Sequence, residues 1–182
     1  AQDVLAFLQR NKDAETITVY LSSVGGYFSD GLPIFNMLKQ HNATVTVKII
    51  GYCLSMATHI ALAADVIEIS QNGQMMIHNA QGWVSGDYRT VGHYADVLKV
   101  HNDSIIPEYQ RRMKLSEDEI QALLDAETWY SANDALAAGL VDKITDPVDL
   151  AEIDNQQPQN AWKFAIKNFQ HAPQDFSARA EK

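Results

Sequence analysis

Three groups of residues in this chain have the chemistry expected of a hydrolase with a serine nucleophile. Ser55 follows a long apolar run, His78 closes the run MMIH, and Gly25 and Gly26 follow the run ITVYLSSV. A serine hydroxyl can attack a carbonyl carbon, and a histidine can accept the proton that the hydroxyl loses. Backbone N–H groups at a glycine turn can bind the oxyanion that forms. Together these groups predict acyl-transfer chemistry, provided that the fold brings them together.

The stretch 44–64 has to position the serine. Its first residues alternate apolar and polar side chains as a strand does, Gly51 then breaks the run, and residues 54–64 have the small, apolar character of a buried helix. Ser55 is therefore predicted at a strand-to-helix turn, where a hydroxyl is accessible and the following N–H groups lack partners. The same place suits a serine that only caps a helix, and this stretch alone does not separate the two roles.

Similar strands are predicted at 17–21, before the glycine pair, and at 75–77, before His78. Helices are predicted between the strands, and a long one follows at 90–114. This alternation indicates an α/β fold of stacked βαβ units with parallel strands. The carboxyl ends of such strands gather at one rim of the sheet. A lone strand-end histidine is usually structural, but three suitable groups at three strand ends favour a common site.

Composition and charge limit the classes of function. The net charge is −9 and the pI is near 5.0, which argues against a nucleic-acid partner. No apolar run is long enough to cross a bilayer, so we expect no membrane partner. The single cysteine, Cys53, excludes an intramolecular disulfide and favours a reducing, cytoplasmic location.

The chain divides into a predicted main domain, residues 1–146, and a polar extension, residues 147–182. The extension is rich in proline, glutamine and asparagine, with a possible short amphipathic helix at 161–169. Because the chain does not begin with methionine, we expect part of the N-terminus to be missing.

Taken in order, the motifs between residues 4 and 146 resemble the proteolytic subunit of the Clp protease (ClpP), and most of all its phage and prophage head-maturation relatives. The motifs are Ser23-Val24-Gly25-Gly26, Gly51-Tyr52-Cys53-Leu54-Ser55-Met56, Met76-Ile77-His78, Glu127-Thr128-Trp129-Tyr130-Ser131-Ala132 and Gly139-Leu140-Val141-Asp142. The resemblance implies a ClpP/crotonase-like fold in which the long helix forms a projecting handle.

The resemblance also implies a mechanism and partners. Ser55 would attack the scissile carbonyl of a polypeptide, His78 would carry the proton, and the N–H groups of Gly25 and Met56 would bind the oxyanion. Neither a cofactor nor a metal ion is expected. The chain would act in a homo-oligomeric ring, with phage structural proteins as possible partners. Docking of an ATP-driven unfoldase is not implied, because the N-terminal segment that shapes the entrance of ClpP is absent.

The acid of the triad is where this sequence departs most from the family. The family has an aspartate at the position of Glu127, and the extra methylene of glutamate needs a different reach. We predict that Glu127 orients His78, with Asp125 as the alternative acid. A Ser–His dyad without an acid also stays open.

The other histidines are predicted to be structural. His59 lies one helical turn after Ser55, but as a base it would have to fold back past the oxyanion donors. We expect it to be partly buried and structural. The remaining histidines show no spacing typical of metal ligands; they are His41, His93, His101 and His171.

Three other hypotheses compete with the serine endopeptidase. A ClpP-like scaffold that assembles without cleaving is the main alternative, because Glu127 replaces the aspartate. A crotonase-fold acyl-CoA enzyme would have no use for a Ser–His pair. A Ser–Lys peptidase would need a lysine at the site, and none occurs between Lys48 and Lys99. We prefer the endopeptidase.

Overall fold

The computed structural model describes residues 1–147, and the predicted extension lies outside them except for Pro147. Within these residues, six helices surround one six-stranded sheet. The elements are α1 Gln2–Arg10, β1 Thr16–Ser23, α2 Phe28–Gln40, β2 Thr44–Leu54, α3 Met56–Ala61, β3 Val66–Ser70, β4 Gln74–Ile77, α4 Tyr88–Met113, α5 Glu117–Asp125, β5 Thr128–Ser131, α6 Ala132–Ala137 and β6 Lys143–Thr145. The predicted α/β class is confirmed.

The long strand β2 organises the sheet. β1 pairs with it in parallel from Thr16 opposite Thr44 to Ser23 opposite Cys53. β3 pairs in parallel with the first part of β2, and β4 pairs in parallel with its last three residues. Since a strand has two edges, β3 and β4 share the edge that β1 leaves open. The carboxyl ends of β1, β2 and β4 therefore meet at one place.

The prediction that Gly51 breaks the central strand is wrong. β2 continues to Leu54, because an irregularity in its pairing with β1 between Leu21 and Ser23 takes up the extra residues. Ser22 Oγ accepts a hydrogen bond of 3.2 Å from the N–H of Tyr52. A Cβ atom at Gly51 would lie 2.6 Å from that oxygen, so any other residue here would displace the Ser22 hydroxyl from its hydrogen bond with Tyr52. Helix α3 is correspondingly shorter than predicted.

The core lies between the sheet and the helices that cover it. Apolar side chains of β2, β3 and β4 pack there against α2, α3 and the second half of α4. Cys53 is fully buried, and this burial raises its pKa to about 12. The apolar packing holds the three strand ends in fixed positions relative to one another.

Helix α4 is the handle that the resemblance predicted. It begins at a cap in which Asp87 Oδ1 accepts hydrogen bonds from the N–H groups of Arg89 and Thr90. Its first half is largely exposed, whereas its second half is anchored in the core by Ile105, Ile106, Tyr109 and Met113. No helix within residues 1–147 is both long and apolar enough to cross a membrane.

One strand was not predicted. β5 is only four residues long, pairs antiparallel with β4, and makes the sheet mixed rather than wholly parallel. So short a segment, TWYS, contains too few residues to show a strand periodicity. Helix α5 begins at the N-cap residue Ser116, which forms a complete capping box with Glu119.

Candidate active site

Ser55 occupies a strained turn between β2 and α3. Its φ of 57° and ψ of −128° are unusual for a residue with a side chain and cost on the order of 1–3 kcal/mol. The backbone N–H of Ser55 donates to the carbonyl of Met76 at 2.9 Å. Its side chain makes no capping hydrogen bond to α3. Ser55 occupies the N-cap position of α3, but its hydroxyl does not cap the helix and is free to face another group.

The Ser55 hydroxyl contacts the ring of His78. It comes directly after β4, and because Leu54 lies opposite Met76 in the parallel pairing, Ser55 and His78 follow neighbouring strand ends. The Nε2 atom of His78 lies 2.7 Å from Ser55 Oγ. This is the distance over which a histidine can take the proton of a serine nucleophile.

Gly25 brings the third strand end to the same place. Its φ is +92°, which favours glycine, and a Cβ there would lie 2.7 Å from Ser55 Cβ and 3.0 Å from Met56 N. The Gly25 N–H donates to Ser23 Oγ at 3.2 Å. The Met56 N–H belongs to the first residue of α3, where a helix supplies no internal acceptor.

The two candidate acids have different surroundings. Glu127 is 6% exposed, has a positive φ of 47°, and its Oε1 accepts a hydrogen bond of 3.3 Å from the Trp129 indole N–H. Asp125 is exposed, and its Oδ1 accepts hydrogen bonds from the side-chain amides of Asn79 and Gln121 at 2.8 and 2.7 Å. Of the two, Glu127 is the carboxylate in the buried environment of the site.

Burial and charge act in opposite directions on His78. Burial disfavours the imidazolium and lowers its pKa, while the negative charge of Glu127 raises it. Burial is the larger effect, so the pKa of His78 lies below the ordinary value of 6.5. At neutral pH the ring is therefore uncharged, as a general base must be.

Gln81 contacts the other ring nitrogen and was missed by the sequence analysis. Its side-chain nitrogen Nε2 lies 2.7 Å from His78 Nδ1. A glutamine three residues after a histidine carries no distinctive signal, because nothing local requires the loop to turn the amide back onto the ring.

Comparison with known proteins identifies the family. The sequence profile described as Clp protease matches residues 1–148, most of the chain. The chain belongs to the Clp protease family. This confirms the resemblance, the ClpP/crotonase-like fold and, at the level of the family, a peptidase; the phage subtype is not tested by it.

Two relatives illustrate the match. The "ATP-dependent Clp protease proteolytic subunit 1" of Synechococcus sp. (strain CC9902) is 28% identical over 144 residues, which cover 78% of this chain and 73% of the relative. The "ATP-dependent Clp protease proteolytic subunit" of Pleurastrum terricola is 25% identical over 143 residues, with the same coverage of 78% and 73%.

In this Clp family member, His59 lies in the core, not at the site. It is 1% exposed and stacks on Phe35, with ring centroids 4.3 Å apart. Burial lowers its pKa to about 4, against the smaller opposing charge of Glu108. Its structural role agrees with the prediction, although it is fully rather than partly buried.

A metal site has no support in the described part of the chain, where no group of three or more histidine, cysteine or acidic side chains could hold an ion. His171 lies outside these residues.

Proposed function

We propose that this Clp family chain is a serine endopeptidase in which Ser55 is the nucleophile and His78 the general base. The observation that carries the proposal is the 2.7 Å distance between Ser55 Oγ and His78 Nε2 at a strained turn. A structural serine at a helix start has no need of that backbone conformation, and a structural histidine has no need of that partner.

The reaction follows from the positions of these groups. Ser55 Oγ attacks the peptide carbonyl carbon while His78 Nε2 takes its proton, and the N–H groups of Gly25 and Met56 receive the oxyanion. His78 then returns the proton to the leaving amine, and the acyl-enzyme forms. A water molecule, deprotonated by the same ring, hydrolyses the ester and frees Ser55. Each oxyanion donor contributes roughly 3 kcal/mol of barrier lowering.

Glu127 is the acid in this proposal. A buried carboxylate stabilises the imidazolium that forms when His78 takes the proton, and the charge of Glu127 acts on the His78 pKa in that direction. The Trp129 indole N–H holds one carboxylate oxygen. The exposed Asp125, bound to Asn79 and Gln121, is the weaker candidate.

The substrate class and the assembly are further parts of the proposal. Both relatives are named as proteolytic subunits, which supports a polypeptide substrate and an assembly of several subunits. We propose that this assembly is a homo-oligomeric ring. Apolar side chains before and along the first half of α4 are exposed in a way that suits subunit contacts. They are Trp83, Val84, Tyr88, Val91 and Val100. Phage structural proteins as partners and a cytoplasmic location stay predictions.

A second candidate is a ClpP-like subunit that assembles without cleaving. The observation that favours it is the hydrogen bond from the Gly25 N–H to Ser23 Oγ, which occupies one of the two proposed oxyanion donors. An oxyanion would have to displace that hydroxyl before the site could work.

Labelling with a fluorophosphonate probe separates the two candidates. The endopeptidase should react in the wild type, lose all reaction in Ser55→Ala, and lose most of it in His78→Ala. The exposed Ser104→Ala and His93→Ala variants serve as matched controls and should react like the wild type. An assembled, folded wild type that does not react would contradict the endopeptidase and favour the scaffold.

A further inference from the structure

The hydroxyl of Thr58, in the first turn of α3, bonds carbonyls that lie outside that helix. Its Oγ1 atom lies 2.7 Å from the carbonyl oxygen of Cys53 in β2 and 3.0 Å from the carbonyl oxygen of Met76 in β4. Thr58 is fully buried, at 0% exposure. Because no solvent reaches this hydroxyl, its hydrogen bonds must come from the protein around it.

The two carbonyls belong to the strand ends that carry the serine and the histidine. Cys53 comes two residues before Ser55, and Met76 comes two residues before His78. The Ser55 N–H donates to the same Met76 oxygen at 2.9 Å. The Thr58 hydroxyl therefore lies between the two strand ends and bonds the backbone of both.

This arrangement differs from that of an ordinary threonine in a helix. Such a hydroxyl usually bonds a carbonyl one turn earlier in its own helix or faces solvent. The Thr58 hydroxyl instead reaches back across the Ser55 turn, to a strand residue five positions earlier and to a residue of a second strand. An unfavourable backbone conformation such as that of Ser55 persists only where its surroundings enforce it. The Thr58 hydroxyl is one such constraint.

The hydroxyl of Thr58 has a single hydrogen for these two oxygens. Both distances are within hydrogen-bonding range, so the hydrogen is shared between the carbonyls or exchanges between them. In either case, removing the hydroxyl takes a contact away from both strand ends. A third neighbour is the Cys53 thiol, whose pKa the hydroxyl lowers against the larger effect of burial.

We propose that Thr58 is a positioning residue that holds the Ser55 hydroxyl within reach of His78 Nε2. It acts through the backbone, by fixing the ends of β2 and β4 relative to each other. The inference rests on the proposed function, because it concerns the same serine–histidine pair.

The test compares side chains at position 58 of the 182-residue chain. Thr58→Val keeps the shape and removes the hydroxyl, whereas Thr58→Ser keeps the hydroxyl and removes the methyl group. Thr58→Ala lacks both, so its comparison with Thr58→Ser isolates the hydroxyl again if the valine variant does not fold. Thr145→Val is the matched control. The Thr145 hydroxyl also bonds a carbonyl of another strand, that of Ile69 at 3.5 Å, but between β6 and β3.

Two quantities are measured on each folded variant. The first is the rate of fluorophosphonate labelling, resolved into the affinity for the probe and the maximal rate. The second is amide hydrogen exchange in residues 54–62, followed by mass spectrometry, with residues 66–70 of β3 as the internal reference. Exchange reports local opening of the backbone and does not depend on activity.

We expect Thr58→Val and Thr58→Ala to lower the maximal labelling rate by about 10- to 100-fold, because the nucleophile and the base are held less firmly at reacting distance. The affinity for the probe should stay unchanged. Exchange in residues 54–62 should accelerate on the order of tenfold in both variants, but not in β3. Thr58→Ser and Thr145→Val should label within a factor of about three of the wild type.

Cys53→Ala tests the third neighbour of the hydroxyl. It removes the thiol and leaves the Cys53 carbonyl in place, so labelling should stay within a factor of about three of the wild type. A loss as large as that in Thr58→Val would mean that the hydroxyl acts through the thiol, and would overturn the inference.

Equal labelling rates and equal exchange in Thr58→Ser and Thr58→Ala would also overturn the inference, because the hydroxyl would then have no effect. So would a loss in Thr145→Val as large as that in Thr58→Val. A wild type that fails to label contradicts the proposed function instead. In that case the exchange comparison still decides whether the Thr58 hydroxyl holds the two strand ends.

Discussion

Two histidines of this Clp family chain show how differently one residue type can be used. His59 lies four residues from Ser55 in the sequence, yet it stacks on Phe35 in the core and lies near Tyr109. His78 lies 23 residues from Ser55, yet its ring touches the serine hydroxyl. Sequence distance along the chain is therefore a poor guide to this site. The positions at which neighbouring strands end predict the residues of this site better.

The environments of the two rings differ in their partners. Within residues 1–147, neither ring nitrogen of His59 has a hydrogen-bond partner. His78 has Ser55 and Gln81 at its two nitrogens and the charge of Glu127 nearby. Burial lowers the pKa of both rings, but only His78 combines a neutral ring with access to a nucleophile. Burial alone thus makes a structural histidine, and burial with partners can make a base.

The largest expected effect on the labelling rate is the loss of the His78 ring, compared with the loss of the His59 ring. His78→Ala should slow labelling of Ser55 by about 10²- to 10⁴-fold, the usual contribution of a general base. His59→Leu should leave the labelling rate within a factor of about three, since the ring does not touch the site. Rates are compared at equal folded concentration, checked by circular dichroism. If His59→Leu slows labelling as much as His78→Ala does, the assignment of His78 as the general base is wrong.

The second prediction concerns stability and pH. The pKa of His59 is about 4 in the folded chain and near 6.5 when unfolded, so the unfolded state binds more protons between these values. The free energy of unfolding should therefore fall by about 3 kcal/mol as the pH drops from 6.5 to 4, because His59 takes up a proton more readily in the unfolded chain. Urea unfolding at several pH values measures this.

The matched variant for that experiment is His59→Leu, which has no proton to gain. Its stability should fall less than that of the wild type over the same pH range, and the difference isolates the ring from the carboxylates. Parallel curves for the two proteins would contradict a neutral, buried His59.

The third prediction tests Glu127. Glu127→Gln removes the charge that raises the His78 pKa, so this pKa should fall further and the acid limb of labelling should move to lower pH. The maximal rate should fall by at least about 10-fold, because the imidazolium that forms loses the negative charge that stabilises it. Asp125→Asn is the control and should shift neither quantity. If it has the larger effect, Asp125 is the acid.

The smallest effect is expected at the oxyanion donors. Ser23→Ala removes the hydroxyl that accepts the Gly25 N–H, so this donor no longer has to exchange partners when the oxyanion forms. We expect labelling to accelerate by about threefold, the value of one weak hydrogen bond. Ser22→Ala, on the neighbouring residue, is the control, because its hydroxyl bonds Tyr52 instead. A slower Ser23→Ala would mean that this hydroxyl supports the site.

Much of the fold was predictable because its elements carry strong local signals. The alternation in β2, the capping box at Ser116 and the long apolar pattern of α4 are each visible within a few neighbouring residues. The continuation of β2 through Gly51 was not predictable. It depends on the contact of that glycine with Ser22 on another strand, and no local pattern contains such a contact.

The sequence by itself determined the residue types of the site and their placement after three strands, because strand periodicity and glycine turns are local properties. Only the tertiary structure decided that the Ser55 hydroxyl contacts His78 and does not cap α3, that His59 is buried in the core and that Gln81 contacts His78. Each of these depends on distances between segments, which register, burial and loop path set together. The residue types determine which chemistry is possible, and the packing of β1, β2 and β4 determines which of these residues are in contact.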